Sequence, residues 1–85
     1  MTPQELLEKL LAGEKVRKVI YGDLHGVLCL AKYKHMFTEG SYRYWKHDGH
    51  RDVLLLKDNL DKAMYPQYID KAQKHLLVVK NAGGF

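Results

Sequence analysis

The stretch Ser41-Tyr-Arg-Tyr-Trp-Lys-His-Asp-Gly-His-Arg-Asp52 interleaves aromatic and basic side chains around Asp48-Gly49. Guanidinium and ammonium groups pair with phosphates or carboxylates, while aromatic rings stack on bases or anchor protein interfaces. Arg43, Trp45, Lys46, His47, His50 and Arg51 are therefore the candidate binding residues. A tight turn at Asp48-Gly49 would also set His47 opposite His50, close enough to share a metal ion or to repel when both are protonated. Two histidines fall short of the three protein ligands that a catalytic zinc site keeps, even with Asp52 nearby. No catalytic residue, metal or cofactor is assigned on this basis.

A second constellation is Val19-Ile-Tyr-Gly-Asp-Leu-His-Gly26, with an aspartate and a histidine two residues apart after a strand-like run. Asp52-Val-Leu-Leu-Leu-Lys-Asp-Asn-Leu-Asp-Lys62 and Leu77-Val-Val-Lys-Asn81 follow downstream. Together these segments resemble the metal-binding blocks of calcineurin-like metallophosphoesterases. The resemblance implies a metal-dependent phosphoesterase in which Asp23 and His25 are ligands and Asp58 bridges two metals that activate water. Lys57 stands where that family has a glycine, and Ala82 where it has a histidine. The Ala82-Gly-Gly-Phe85 end resembles the diglycine of ubiquitin-like sulfur carriers, with Phe85 to be removed first.

A chain of 85 residues holds one domain. Its ordinary apolar content excludes intrinsic disorder. Fourteen Lys and Arg against ten Asp and Glu leave a net charge of +4, which favours an anionic partner. Cys29 is the sole cysteine, so neither an internal disulfide nor a thiolate zinc site can form. It lies in an apolar run and is expected to be a buried small hydrophobe. No apolar run approaches the roughly 20 residues that span a bilayer, and the first residues lack a signal-peptide pattern. The expectation is a cytoplasmic protein with no membrane contact.

These residues need elements to position them. Thr2-Pro3-Gln4-Glu5 is a helix start with a capping box, and Leu6, Leu7, Leu10 and Leu11 form one stripe ending at Gly13, which predicts a helix over 3–12. Residues 15–21 read as a strand. Residues 27–35 read as a second strand after a glycine turn; as a helix they would instead group Leu24, Val27, Leu28, Ala31 and His35. Thr38-Glu-Gly-Ser41 reads as a turn. A two-residue hairpin loop at Asp48-Gly49 pairs Trp45 with Asp52, Tyr44 with Val53 and Tyr42 with Leu55. That register makes Tyr42, Tyr44, Val53 and Leu55 the core face and Arg43, Trp45, His47, His50 and Asp52 the recognition face. A helix from Leu60 is broken at Pro66 and continues over 67–74. Residues 75–80 read as a last strand and 81–85 as a flexible tail.

The predicted fold is α+β: an N-terminal helix, a four-stranded antiparallel meander, a C-terminal helical segment and a last strand. A small βαβαβ arrangement is the alternative. The predicted function is a small non-enzymatic binding protein that presents the hairpin to a macromolecular partner. A protein partner inhibited by occlusion, as by phage or mobile-element proteins, and direct DNA or RNA binding are the two partner classes. An unpaired edge strand would also offer a route to a homodimer.

Overall fold

The computed structural model describes residues 2–60 and 62–84. Three helices pack together and against the β2–β3 side of a three-stranded antiparallel sheet, an α+β arrangement that leaves the first strand uncovered. Among the described residues no helix is long and apolar enough to cross a membrane.

Helix α1, Pro3–Leu11, forms where its local signals place it. Thr2 Oγ1 accepts the Glu5 N–H at 3.2 Å, Pro3 occupies the first turn, and Leu6, Leu7 and Leu10 are buried. The helix ends in a Schellman cap: Gly13 at φ +83° donates to Leu10 O, and Glu14 N–H donates to Lys9 O.

The strand expected over 15–21 is absent. Lys18 sits at φ +61°, which breaks extended backbone, and Val16 and Val19 enter the core from an irregular segment. Side chains from the last helix hold that segment. Gln73 Nε2 donates to Leu10 O and Glu14 O, and Arg17 pairs with Asp70 at 3.1 Å.

Helix α2, Tyr21–Leu30, replaces the second expected strand. Of the set that a helical reading groups, Leu24, Val27, Leu28 and Ala31 are fully buried, whereas His35 lies beyond the helix and is exposed on the strand that follows. Gly26 acts as a close-approach site rather than a turn: a Cβ there would lie 2.8 Å from Pro3 Cγ of α1. With 21–30 helical and antiparallel strands following, neither the four-stranded meander nor the βαβαβ alternative describes the chain. Cys29 faces outward and is exposed, contrary to its expected burial.

The sheet is a meander of β1 (Lys34–Glu39), β2 (Tyr42–Lys46) and β3 (Leu54–Lys57). The two-residue hairpin turn is Gly40-Ser41, with Gly40 at φ +61° as a type II′ turn requires and Glu39 paired with Tyr42. Asp48-Gly49 does form a β-turn, closed by His50 N–H to His47 O at 3.0 Å, but it lies inside a longer loop over 47–53. Trp45 consequently pairs with Leu54, Tyr44 with Leu55 and Tyr42 with Lys57. This register is displaced by two residues from the expected one. Because side chains alternate with period two, a two-residue slip leaves the grouping of faces intact.

Which face is core is the reverse of the expectation. Trp45, Leu54 and Leu56 are buried beneath the helices, whereas Tyr42 is exposed and Tyr44 and Leu55 are half-buried on the outer face. The physical reason is apolar content: one tryptophan and two leucines outweigh two tyrosines, a leucine and Lys57.

Helix α3, Pro66–Asn81, runs unbroken through the residues expected to be a last strand. Pro66 is at its first turn, where a missing N–H costs nothing, so it starts the helix instead of kinking it. Ile69, Ala72, His75, Leu76 and Val79 form its buried stripe. The segment expected to be a flexible tail is, where described, a second Schellman cap. Gly83 at φ +77° donates to Lys80 O, and Gly84 N–H donates to Val79 O at 2.8 Å. Gly84 packs so closely that a Cβ would meet Val79 Cγ1 at 2.5 Å and His47 Cε1 at 3.0 Å. Phe85 lies outside the described residues.

Candidate functional site

The six residues singled out by type divide between core, ladder and loop. Trp45 is 1% exposed; its indole N–H donates to Tyr21 Oη at 3.0 Å, and the His25 and His35 rings meet it edge-on. Arg43 is half-buried, donating to Asp58 at 3.1 Å and to Gly40 O at 3.0 Å, with its guanidinium 5.5 Å from the Tyr21 ring centre. Burial raises the Tyr21 phenol above its usual range, offset in part by the Trp45 hydrogen bond and Arg43. Lys46 Nζ donates to His50 O at 2.8 Å and so fastens the 47–53 loop to β2. Of the six, Arg51 alone is exposed.

His47 and His50 do not face each other as a ladder pair. His47 is 5% exposed, accepts the Gly49 N–H on Nδ1 at 2.8 Å, and meets the Tyr33 ring edge-on. His50 accepts the Asp52 N–H on Nδ1 at 2.9 Å and stacks on His75 with ring centres 4.0 Å apart. His75, on α3, did not stand out in the sequence because its neighbours read as a strand. Its Nε2 lies 3.1 Å from Asp52 O and its Nδ1 lies 2.6 Å from Tyr33 Oη. A carbonyl can only accept, so Nε2 carries the proton and Nδ1 accepts the Tyr33 O–H. Burial pushes the Tyr33 phenol well above its usual range, which keeps that donor protonated. Burial also lowers the pKa of His75, reinforced by His50 and His47 and opposed by the Asp52 carbonyl.

The phosphoesterase-like residues are not assembled. Asp23 and His25 lie on helix α2 instead of closing a strand, Asp58 is held by Arg43, and Asn81 is the last residue of α3. Among the described residues no group of three or more histidine, cysteine, aspartate or glutamate side chains is placed to hold a metal.

The surface that alternation exposes is the outer face of the sheet. Register places Phe37, Tyr44 and Leu55 in one row and Glu39, Tyr42 and Lys57 in the next, with Lys34 opposite Lys46 beyond. A bulge between His35 and Phe37 turns Phe37 to this side. Phe37 is 52% exposed and stacks on Tyr44, ring centres 4.2 Å apart and planes 16° from parallel. Lys57 Nζ sits 5.6 Å from the Tyr42 ring centre and 5.5 Å from that of Tyr65, which is itself exposed. The result is an open face of stacked rings interspersed with ammonium groups. The Tyr42, Tyr44, Leu55 grouping was legible in the sequence; Phe37 reaches the face through the bulge and Tyr65 from the residue just before α3, which no local pattern signals.

No family model matches the chain, and no curated protein or solved structure is significantly similar to it.

Proposed function

We propose that the protein is a non-enzymatic binding module that grips single-stranded nucleic acid on the outer face of its sheet. The observation that carries this reading is the stacked, half-exposed Phe37–Tyr44 pair flanked by Tyr42 and Lys57 on an uncovered sheet face. Bases stack on such rings regardless of sequence, and lysines follow the phosphates between them. Charge leans the same way: the face carries Lys34, paired with Asp48, Lys46, which holds the loop, and Lys57 against Glu39, in a chain of net charge +4. Occlusion of a protein partner by the hairpin depended on Trp45 as the anchor, and Trp45 is committed to the core. Arg43 is likewise committed, to Asp58.

The test is fluorescence anisotropy of a labelled oligothymidylate at low and moderate salt. Affinity should fall steeply with salt, because each neutralised phosphate releases counterions. Phe37→Ala and Tyr44→Ala should each weaken binding by about 1–3 kcal/mol, the worth of one base–aromatic stack. No binding at low salt, or full affinity in the Phe37→Ala/Tyr44→Ala double variant, overturns the proposal.

A further inference from the structure

A second feature lies away from the outer face of the sheet. The 47–53 loop and α3 border an open cleft of about 300 Å³, at the small end of ligand-sized cavities. Lys71, Lys74, His75 and Val78 face it from α3 at the i, i+3, i+4, i+7 spacing of one helical stripe. His50, Asp52 and Val53 face it from the loop.

One donor of this cleft is held in place and two more stand beside it on α3. The Nδ1 of His50 is taken by the Asp52 N–H, so the proton of the neutral ring is on Nε2, where no described residue accepts it. The ring is fixed by its stack on His75, whose own nitrogens are both engaged. Lys71 and Lys74 have no carboxylate within ion-pair distance among the described residues, unlike Arg17, Lys34 and Arg43. Three N–H donors thus border one space. Asp52 is the acceptor beside them, its backbone pinned by His50 and His75. Val53 and Val78, each 45% exposed, supply apolar walls.

We propose that this cleft binds a phosphomonoester with a hydroxyl-bearing body. Lys71, Lys74 and His50 take the phosphate oxygens, Asp52 accepts from a hydroxyl, and the valines pack on the remainder. The same chemistry belongs to a free mononucleotide and to the 5′-phosphate end of a strand. The site does not rest on the sheet-face reading, since it uses different residues on different elements.

Amide-resolved NMR titrations test it with inorganic phosphate, adenosine monophosphate and adenosine. At 50–53 and 71–78, saturable shifts are expected with the monophosphate and, more weakly, with phosphate, but not with adenosine, whose base alone can shift only the sheet face. Lys71→Ala/Lys74→Ala should weaken the monophosphate by about tenfold or more, through loss of two charge-assisted hydrogen bonds. A 5′-phosphorylated oligothymidylate that shifts these amides at lower concentration than the monophosphate assigns the site to strand ends, and the opposite order assigns it to free phosphomonoesters. No saturable shift at millimolar phosphate or monophosphate, equal response to adenosine, or wild-type affinity in the double variant overturns it.

Discussion

Replacing Trp45 with alanine separates a core residue from a surface anchor. A fully buried tryptophan removes up to about 250 Å² from water, which at roughly 25 cal/mol per Å² is an upper bound near ~6 kcal/mol. Measured Phe and Trp truncations in cores cluster at about 3–5 kcal/mol because the surroundings partly collapse. The Tyr21 hydroxyl also loses its indole donor, which adds about 1 kcal/mol. The whole stability expected for 85 residues is only about 4–13 kcal/mol. Trp45→Ala should therefore remove a large share of it and lower the urea midpoint by several molar, at an m-value near ~1 kcal/mol/M. Far-ultraviolet circular dichroism is the assay, since the variant has no tryptophan to observe. Trp45→Phe, which keeps most of the buried ring but not the N–H, should fall between. A Trp45→Ala midpoint equal to that of the wild type would refute the burial argument and return Trp45 to the surface.

Two further outcomes follow from the helices. The pKa of His75 is lowered by burial in the folded state, so below the usual 6.5 the unfolded chain takes up a proton that the folded chain refuses. Its contribution is complete above about pH 6.5 and is lost as the pH falls toward the folded pKa, so urea midpoints should drop between about pH 7.5 and about pH 5. The drop should shrink in His75→Gln, and an unchanged slope in that variant would contradict the assignment. At the end of α2, Lys32 occupies the left-handed Schellman position at φ +66°, with its N–H on Cys29 O and the Tyr33 N–H on Leu28 O. Lys32→Gly should stabilise by about 0.5–1 kcal/mol and raise Tm by a few degrees, read by thermal unfolding.

What the sequence revealed was local. Thr2, Pro3 and Gly13 delimit α1 because a helix start and a Schellman stop are made by adjacent residues. Alternation sorted Tyr42, Tyr44 and Leu55 from Arg43 and Trp45 correctly, but His47, His50, Asp52 and Val53, also assigned to the two faces, lie in the loop over 47–53. It did not say which face was buried, because Leu54-Leu-Leu56 offers leucine to both and the choice belongs to the helices. Gly22, Gly26 and Pro66 misled for one reason: each was read as a breaker, whereas two sit inside α2 and the third opens α3. Only the partner element distinguishes a breaking glycine from one that admits a neighbour, as Pro3 shows at Gly26.

The candidate site was legible to the same degree. Residue types around 41–52 were informative, but burial redirected Trp45, His47 and Arg43 inward. The cleft joins loop and helix residues that no local pattern links, and Lys71, Lys74 and His75 gain meaning only when α3 lies against the 47–53 loop.

Strand β1 has all six of its residues exposed, and none belongs to the buried core. Its attachment is the ladder to β2, with Phe37 on Tyr44 and His35 on Trp45 as side-chain contacts. Regions with few buried apolar contacts open at free energies well below that of global unfolding. The amides of β1 should then exchange with solvent by peeling of this strand alone, while those of β3 and α3 wait for the whole domain to unfold. Half of the stacked pair thus rides on a detachable strand. A ligand that spans Phe37 and Tyr44 has to close it, and so trades part of its binding energy for local order.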